Sequence, residues 1–223
     1  TYHQMHHHGV AVESDKMAYR IYFDKKQTID PYCKRVPQLE LATSYWYPND
    51  SLLAAHYGDD ILRVSGTVGV GSVKYWNGKK HVHIEPVAER SQRIVSQSHK
   101  SATIEVAVED WEIEDKIVDM NVQYTIKSGH RDMRCDVYLS EQVEGLCTGV
   151  QMIPNNGKSP RSLDGSHDTI IVVPNGTILA SWGTDWPVND STKYAKETVG
   201  LAVFIPIENA GTPTRDKRNN LCL

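Results

Sequence analysis

Three successive segments of the chain alternate apolar and polar residues, and this pattern constrains the fold more than any other feature. The alternating apolar residues are, segment by segment, Ala102, Ile104, Val106 and Val108; Val118, Met120, Val122, Tyr124 and Ile126; and Met133, Cys135, Val137 and Leu139. Side chains alternate between the two faces of a strand. The segments therefore predict consecutive antiparallel strands, each with one face in a core and one face in water.

The residue types agree with a strand-rich fold. The 223 residues include 11 tyrosines and 5 tryptophans, which favour strands. Long helical periodicity is nearly absent, and the best helix candidates are the short segments 49–56 and 191–197. We therefore expect an all-β fold in which residues 1–223 form a single antiparallel β-sandwich domain. The last residues look like the start of another strand, so we expect the native protein to have a further C-terminal portion.

Composition and motifs exclude several classes of protein. A net charge of -4 without a basic stripe argues against nucleic acid as a partner. The chain contains no apolar run of membrane-spanning length, and its 4 cysteines show no C-x-x-C spacing. We find no phosphate-binding loop, nucleophile elbow, dinucleotide fingerprint or H-E-x-x-H helix, so we expect no organic cofactor. The need for a divalent metal, the disulfides and the oligomeric state stay open.

The N-terminal stretch concentrates groups that can carry chemistry. It runs from His6-His7-His8-Gly9 through two strand-like segments separated by a turn at 14–16. In the second segment the large apolar side chains share one face, and Ala18, Arg20, Tyr22 and Asp24 share the other, which we expect to face water or a ligand. A hairpin would bring the histidines close to Arg20 and Tyr22. A purification tag or ordinary surface histidines are the alternatives, but the histidines continue directly into a strand pattern.

These groups suit elimination beside a uronate carboxylate. Such a reaction needs a cation on the carboxylate, a base for the acidic C5 proton and an acid for the leaving oxygen. The candidate catalytic residues are His7, His8, Arg20, Tyr22 and Lys34, with His56 as a second choice. Arg20 and Lys34 would hold the carboxylate, while the histidines and Tyr22 would move protons. A sugar epimerase or mutarotase would use similar groups, so that alternative stays open.

A further set of residues suits the binding of a sugar without chemistry. Aromatic rings stack on sugar faces, and the candidate substrate-binding residues are Trp46, Trp76, Trp182, Trp186 and Arg90. The tryptophans can equally close the edge of a core. A non-catalytic carbohydrate-binding module therefore remains an alternative to an enzyme. His81, His83 and Glu85 share one strand face, which we interpret as an exposed face and not a metal site.

Several phrases of the sequence together resemble an uncharacterised family of exported Bacteroidota proteins from polysaccharide-utilisation clusters. The phrases are His6-His7-His8-Gly9, Ala18-Tyr19-Arg20-Ile21-Tyr22, Ile29-Asp30-Pro31-Tyr32-Cys33-Lys34, His56-Tyr57-Gly58 and Glu89-Arg90. The resemblance covers the whole chain and implies periplasmic, secreted or cell-surface processing of an oligosaccharide or polysaccharide. It is associated with the dehydration of ulvan-derived uronate oligosaccharides. The phrase 29–34 and the strand order also resemble the galactose-mutarotase-like β-supersandwich. The resemblance assigns no catalytic residue, and a shared fold does not fix function.

Overall fold

The computed structural model describes residues 8–44, 48–153, 168–187, 191–192, 195–216 and 218–222. The chain divides into two compact units. Unit 1 comprises Thr1–Gln27, Pro31–Asp60 and Ile84–Val143, and unit 2 comprises Thr28–Asp30, Ile61–His83 and Glu144–Leu223. The prediction of one domain over 1–223 stays a prediction.

The all-β prediction is confirmed, because antiparallel sheets make up nearly all the regular structure of the described residues. The helical parts are α1 (Asp50–Ala54) and a 3-10 turn at Ile207–Asn209. Asn49 caps α1 by accepting a hydrogen bond from the Leu52 amide, 3.0 Å away. The expected helix at 191–197 is wrong where it can be checked, because residues 191–192 form a turn and a strand begins at Glu197.

The central sheet of unit 1 is the one that the alternating segments predict. Its strands are β7 (Glu89–Gln97), β8 (Ser101–Ile113), β9 (Lys116–Lys127) and β10 (Met133–Leu139), in the order β10-β9-β8-β7. Ile104 pairs with Tyr124, and Val106 pairs with Val122. These four side chains are buried and form the core, so the predicted apolar face is confirmed.

The second sheet of unit 1 carries the N-terminal stretch. Its strands are β1 (Ala11–Glu13), β2 (Met17–Ile21), β3 (Ile29–Cys33) and β4 (Asp59–Asp60), in that order. The expected hairpin is present, with Ala11 opposite Arg20 and Glu13 opposite Ala18. The Ser14 hydroxyl donates a hydrogen bond to the His130 carbonyl, and the Tyr19 hydroxyl donates to that of Arg131. These bonds hold the hairpin against the turn that joins β9 to β10.

Unit 2 contains two further antiparallel sheets. The first has the order β15-β16-β11-β5-β6 and the second the order β12-β13-β14. The strands of the first are β5 (Lys74–Trp76), β6 (His81–Val82), β11 (Leu146–Gln151), β15 (Pro213–Arg215) and β16 (Asn219–Cys222). Those of the second are β12 (Asp168–Val173), β13 (Gly176–Asp185) and β14 (Glu197–Pro206). The core of unit 2 includes Val68, Val150, Leu179 and Leu221.

Candidate functional site

The hairpin places the imidazole of His8 against the phenol of Tyr22. The ring centroids are 5.6 Å apart and the ring planes differ by 22°. Gly9 makes this approach possible, because a Cβ at this position would lie 2.0 Å from the Ile21 carbonyl oxygen. The Phe23 amide donates to the His8 carbonyl over 3.1 Å and continues the pairing beyond β1. The prediction that a histidine lies near Tyr22 is therefore met by His8.

Two cations flank the Tyr22 phenol. The Arg20 guanidinium donates a hydrogen bond to the Tyr22 oxygen over 3.0 Å, and the Arg20 carbon Cζ lies 4.8 Å from the ring centroid. The Lys26 ammonium lies 4.4 Å from the same centroid. Positive charge beside a phenol stabilises its deprotonated form. Tyr22 is half-buried, so its surroundings combine partial desolvation with two positive charges.

Arg20 itself is not open to water, contrary to the expectation for its strand face. The residue is fully buried, and its guanidinium pairs with the Asp60 carboxylate at 3.5 Å. The Tyr32 ring lies 5.0 Å from Cζ, so two aromatic rings contact the guanidinium. A buried arginine needs this compensation, since an uncompensated buried charge is costly. Arg20 thus contacts the hydroxyl of the partly exposed Tyr22 from inside the protein.

A tight turn brings Lys26 back beside Tyr22. The Asp24 carboxylate accepts a hydrogen bond from the Lys26 amide at 2.7 Å and lies 3.3 Å from the Lys26 ammonium. The Gln27 amide donates to the Asp24 carbonyl, 3.1 Å away. An aspartate that accepts from the backbone two residues later is a common turn device. The side chain of Lys26 remains partly exposed, so its ammonium can meet a solute.

Arg90 holds this turn in place, because its guanidinium is hydrogen-bonded to groups of the protein. Its guanidinium donates to the Gln27 side-chain oxygen over 2.6 Å and to the Ile84 carbonyl over 2.9 Å. Burial lowers the pKa of Arg90, which the nearby Asp24 carboxylate partly offsets. The Ile84 amide also donates to the Lys25 carbonyl, 2.9 Å away. Arg90 therefore positions the turn that carries Lys26.

The electrostatics of the cluster favour neutral His8. Burial is the largest cause that lowers the pKa of His8 below 6.5, and the charges of Arg20 and Lys26 lower it further. The Asp24 carboxylate opposes this shift. A neutral imidazole beside two cations can accept a proton at neutral pH. We name the residues His8, Arg20, Tyr22 and Lys26 the hairpin cluster.

Lys34, in contrast, is held inside a structural network. Its side chain is 2% exposed, and its ammonium pairs with the Glu13 carboxylate and donates to the Gln38 carbonyl at 2.7 Å. The Glu13 carboxylate also accepts from the amides of Glu40 and Leu41. This network fixes the chain that follows β3 onto β1. We therefore leave Lys34 outside the proposed site.

The other predicted site residues lie in several places. His56 is exposed and follows α1, in unit 1. In unit 2, Trp76 ends β5 and is half-buried, whereas Trp182 is exposed on β13 and Trp186 directly follows that strand. His7 and Trp46 lie outside the described residues.

The sequence reasoning missed Lys26, Tyr32 and Asp60. Tyr32 and Asp60 face each other across the β3–β4 pair, and the sequence carries no signal for them, because their contact with buried Arg20 depends on strands that are distant in sequence. The signal for Lys26 is the Asp24-Lys25-Lys26-Gln27 phrase, which is typical of a turn after a strand.

A histidine–aspartate pair lies in unit 2. The Nδ1 of His81 contacts the Asp216 carboxylate, and its Nε2 lies 2.9 Å from the Gly66 carbonyl oxygen. Both ring nitrogens thus lie within hydrogen-bond distance of a protein oxygen. Asn219 donates to the same carboxylate over 2.7 Å. The predicted strand over residues 81–85 is shorter than expected, because β6 ends at Val82. The pair joins three loops of unit 2 and does not present an unoccupied nitrogen to a ligand.

Three further observations concern metal binding, disulfide bonds and membrane spans. In the described part of the chain, no three His, Cys, Asp or Glu side chains gather as a metal ion would require. The four cysteines, all described, are free thiols. The described residues also include no helix that is long and apolar enough to cross a membrane.

Comparison with known proteins defines the family. The model of the family described as "Domain of unknown function (DUF4861)" matches residues 1–223. The chain therefore belongs to the DUF4861 family. Neither a curated protein nor a solved structure matches the chain.

Proposed function

We propose that the protein is a carbohydrate-active enzyme that removes water or a glycosidic alcohol from uronate-containing oligosaccharides by elimination. The observation that carries the proposal is Tyr22, whose oxygen accepts a hydrogen bond from buried Arg20 and whose ring contacts both His8 and Lys26. A base, an acid and a cation thus meet on one hairpin.

The proton transfers follow from the charges of the cluster. Neutral His8 takes the C5 proton, which the neighbouring carboxylate makes acidic, and a double bond forms between C4 and C5 as the C4–O bond breaks. Tyr22 gives its proton to the departing oxygen, which leaves as water or as an alcohol. The phenolate that remains is stabilised by the Arg20 hydrogen bond and by the Lys26 charge. Transfer of the proton from His8 to Tyr22, directly or through water, restores the site.

Lys26 has the role that the sequence analysis expects of Arg20 and Lys34. Its ammonium is partly exposed, whereas the side chains of Arg20 and Lys34 are 1% and 2% exposed. A cation that binds the substrate carboxylate must be accessible, and it stabilises the charge that develops as the C5 proton leaves.

The remaining expectations belong to the same proposal. A galactose-mutarotase-like arrangement and export to the periplasm or cell surface both fit a polysaccharide-processing enzyme. No organic cofactor enters the steps above. An epimerase would begin with the same proton transfer but would return the proton to the opposite face of C5, so its product would keep the substrate's mass.

The test is product analysis with uronate oligosaccharides of several linkages and with neutral oligosaccharides. We expect uronate products that carry a carbon–carbon double bond conjugated to the carboxylate, seen by ultraviolet absorbance, and a mass loss of one water or a shortened chain. His8→Ala should abolish the product, whereas His130→Ala, in an exposed loop of the same unit, should not. Unchanged substrates, or an isomer of equal mass, would contradict elimination.

A further inference from the structure

The outward face of the β12-β13-β14 sheet carries a straight strip of paired side chains along β13 and β14. The register places Trp182 opposite Gly200 and Thr184 opposite Thr198. Directly beyond the ends of the two strands, Trp186 and Lys196 form a third pair, in which the Lys196 ammonium lies 4.3 Å from the Trp186 ring centroid. Successive pairs on one strand face are about 6.7 Å apart, so the Thr184–Thr198 pair lies about 6.7 Å along the strip from Trp182.

The strip faces outward because the alternate residues form the core. Leu179, Val199 and Leu201 point to the other face of the same strands and are buried. Trp182 is 42% exposed, and Phe204, further along the same face of β14, is 50% exposed. Large apolar side chains held together on an open face are typical of a binding surface.

Gly200 leaves the Trp182 ring uncovered. Opposite the tryptophan, where a cross-strand side chain would normally pack, the glycine offers only backbone. A Cβ at Gly200 would lie 4.0 Å from the Trp182 Cβ, so the position has room for a side chain that the sequence lacks. The ring is therefore available to stack on a flat partner.

The polar groups of the strip specify what that partner is. The hydroxyls of Thr184 and Thr198 lie 3.3 Å apart and can exchange hydrogen bonds with ligand hydroxyls. Lys196 is the one charged residue among these three pairs. An apolar ring, two hydroxyls and a single cation in line match a sugar chain with one negative charge on a ring.

We propose that this strip is a second, non-catalytic site that binds a chain of uronate sugars. One sugar ring stacks on Trp182, its neighbour's hydroxyls bond to Thr184 and Thr198, and a uronate carboxylate pairs with Lys196. Trp186 positions the Lys196 ammonium at the end of the strip through the cation–π contact. A single lysine matches the one carboxylate of a uronate better than the several charges of a heavily sulfated sugar.

The test is affinity electrophoresis of the whole protein through gels that contain alginate, polygalacturonate, dextran sulfate or neutral dextran. We expect retardation by at least one of the two polyuronates and little by the other two polymers. Trp182→Ala and Gly200→Val should each weaken this binding about tenfold, which corresponds to about 1.4 kcal/mol, because each removes the ring or covers it. Gly200→Ala, which barely covers the ring, should bind nearly as the wild type does. Lys196→Gln should remove the preference for polyuronates over dextran.

Three results would overturn this proposal. They are a wild-type protein that no polyuronate retards, binding that Trp182→Ala and Gly200→Val leave unchanged, and a preference for dextran sulfate. Sedimentation adds a fourth, namely dimers that Trp182→Ala disperses, which would make a second copy of the chain the occupant. The readout is binding and not turnover, so its outcome is independent of the elimination assay.

Discussion

At the scale of single residues, Tyr22 differs from Tyr19 and Tyr124 in the charges around it. Tyr19 and Tyr124 are desolvated, and burial raises the pKa of each phenol well above its usual value. Tyr22 instead has the Arg20 hydrogen bond and the Lys26 ammonium. The same two cations act on His8, whose pKa burial has already lowered. The proposed acid and base roles therefore depend on the environment of each residue and not on residue type alone.

The pH dependence of turnover tests this electrostatic account. In the proposed mechanism neutral His8 is the active form, so activity should fall as the pH drops through the pKa of His8, which lies below 6.5. Lys26→Met removes one cause of that lowering and should move the acidic midpoint of kcat/KM to higher pH. Lys25→Met is the matched control, because Lys25 pairs with Glu85 at 3.0 Å.

The His8 ring resonance, followed by NMR during a pH titration, gives the same midpoint without turnover. A midpoint that moves to lower pH in Lys26→Met, or that stays where it is, would show that Lys26 does not act on His8.

At the scale of elements, the Glu13–Lys34 pair holds β1 to the segment that follows β3. Both side chains are largely buried, at 12% and 2% exposure. Lys34→Met leaves the Glu13 carboxylate without its cation and should cost about 3–5 kcal/mol of the free energy of unfolding. Urea denaturation measures this cost. The double variant Glu13→Gln/Lys34→Met should lose less than the two single variants together, since the pair acts as a unit.

The opposite result would contradict a structural role for Lys34. A Lys34→Met protein that keeps wild-type stability but loses turnover would make Lys34 part of the catalytic machinery, as the sequence analysis expects.

The turn before β16 offers a pH-dependent test of stability in unit 2. Burial alone would raise the pKa of Asp216, but hydrogen bonds from His81, the Arg218 amide and Asn219 outweigh it and lower the pKa to about 2. The folded state thus favours the ionised carboxylate of Asp216. This ionised form stabilises the fold at pH values above 3.8, the ordinary pKa of an aspartate. This stabilisation is lost as the pH falls from 3.8 through about 2.

Asp216→Asn should therefore lower the unfolding free energy at neutral pH, and its difference from the wild type should shrink between pH 3.8 and about 2. Urea denaturation at several pH values measures this difference. A difference that stays constant over that range would mean that the ionised carboxylate is not the stabilising form.

At the scale of the whole molecule, the sequence predicts the strands better than it predicts what the strands bury. The alternation over 102–139 indicates β8, β9 and β10 and also the apolar face that they share. A shift of one residue would turn the apolar side chains of a strand to the solvent, so the pattern specifies the buried face strongly. The hairpin of β1 and β2 is also predictable, but its register is not, so the sequence leaves open which of the histidines lies near Tyr22. These features depend on local periodicity, which a sequence displays directly.

The burial of Arg20 could not be predicted, because its partners lie on other strands. Alternation marks its face of β2 as polar, but β3 and β4 bring Tyr32 and Asp60 against it. Lys26 was missed for a different reason, since an aspartate-led turn and not a periodic pattern returns it to Tyr22. The burial of Lys34 could not be predicted either, because the Glu13 carboxylate that pairs with it comes from β1.

Turnover of uronate oligosaccharides by the Tyr22→Phe protein tests the central claim most directly. The variant keeps the ring that contacts His8 and Lys26 but lacks the oxygen that transfers the proton. The account predicts that the wild type and the control Tyr138→Phe, altered at an exposed tyrosine of β10, form unsaturated product at similar rates. It predicts that Tyr22→Phe is slower by about 10²-fold or more at unchanged folding. Equal rates in Tyr22→Phe and wild type would contradict it.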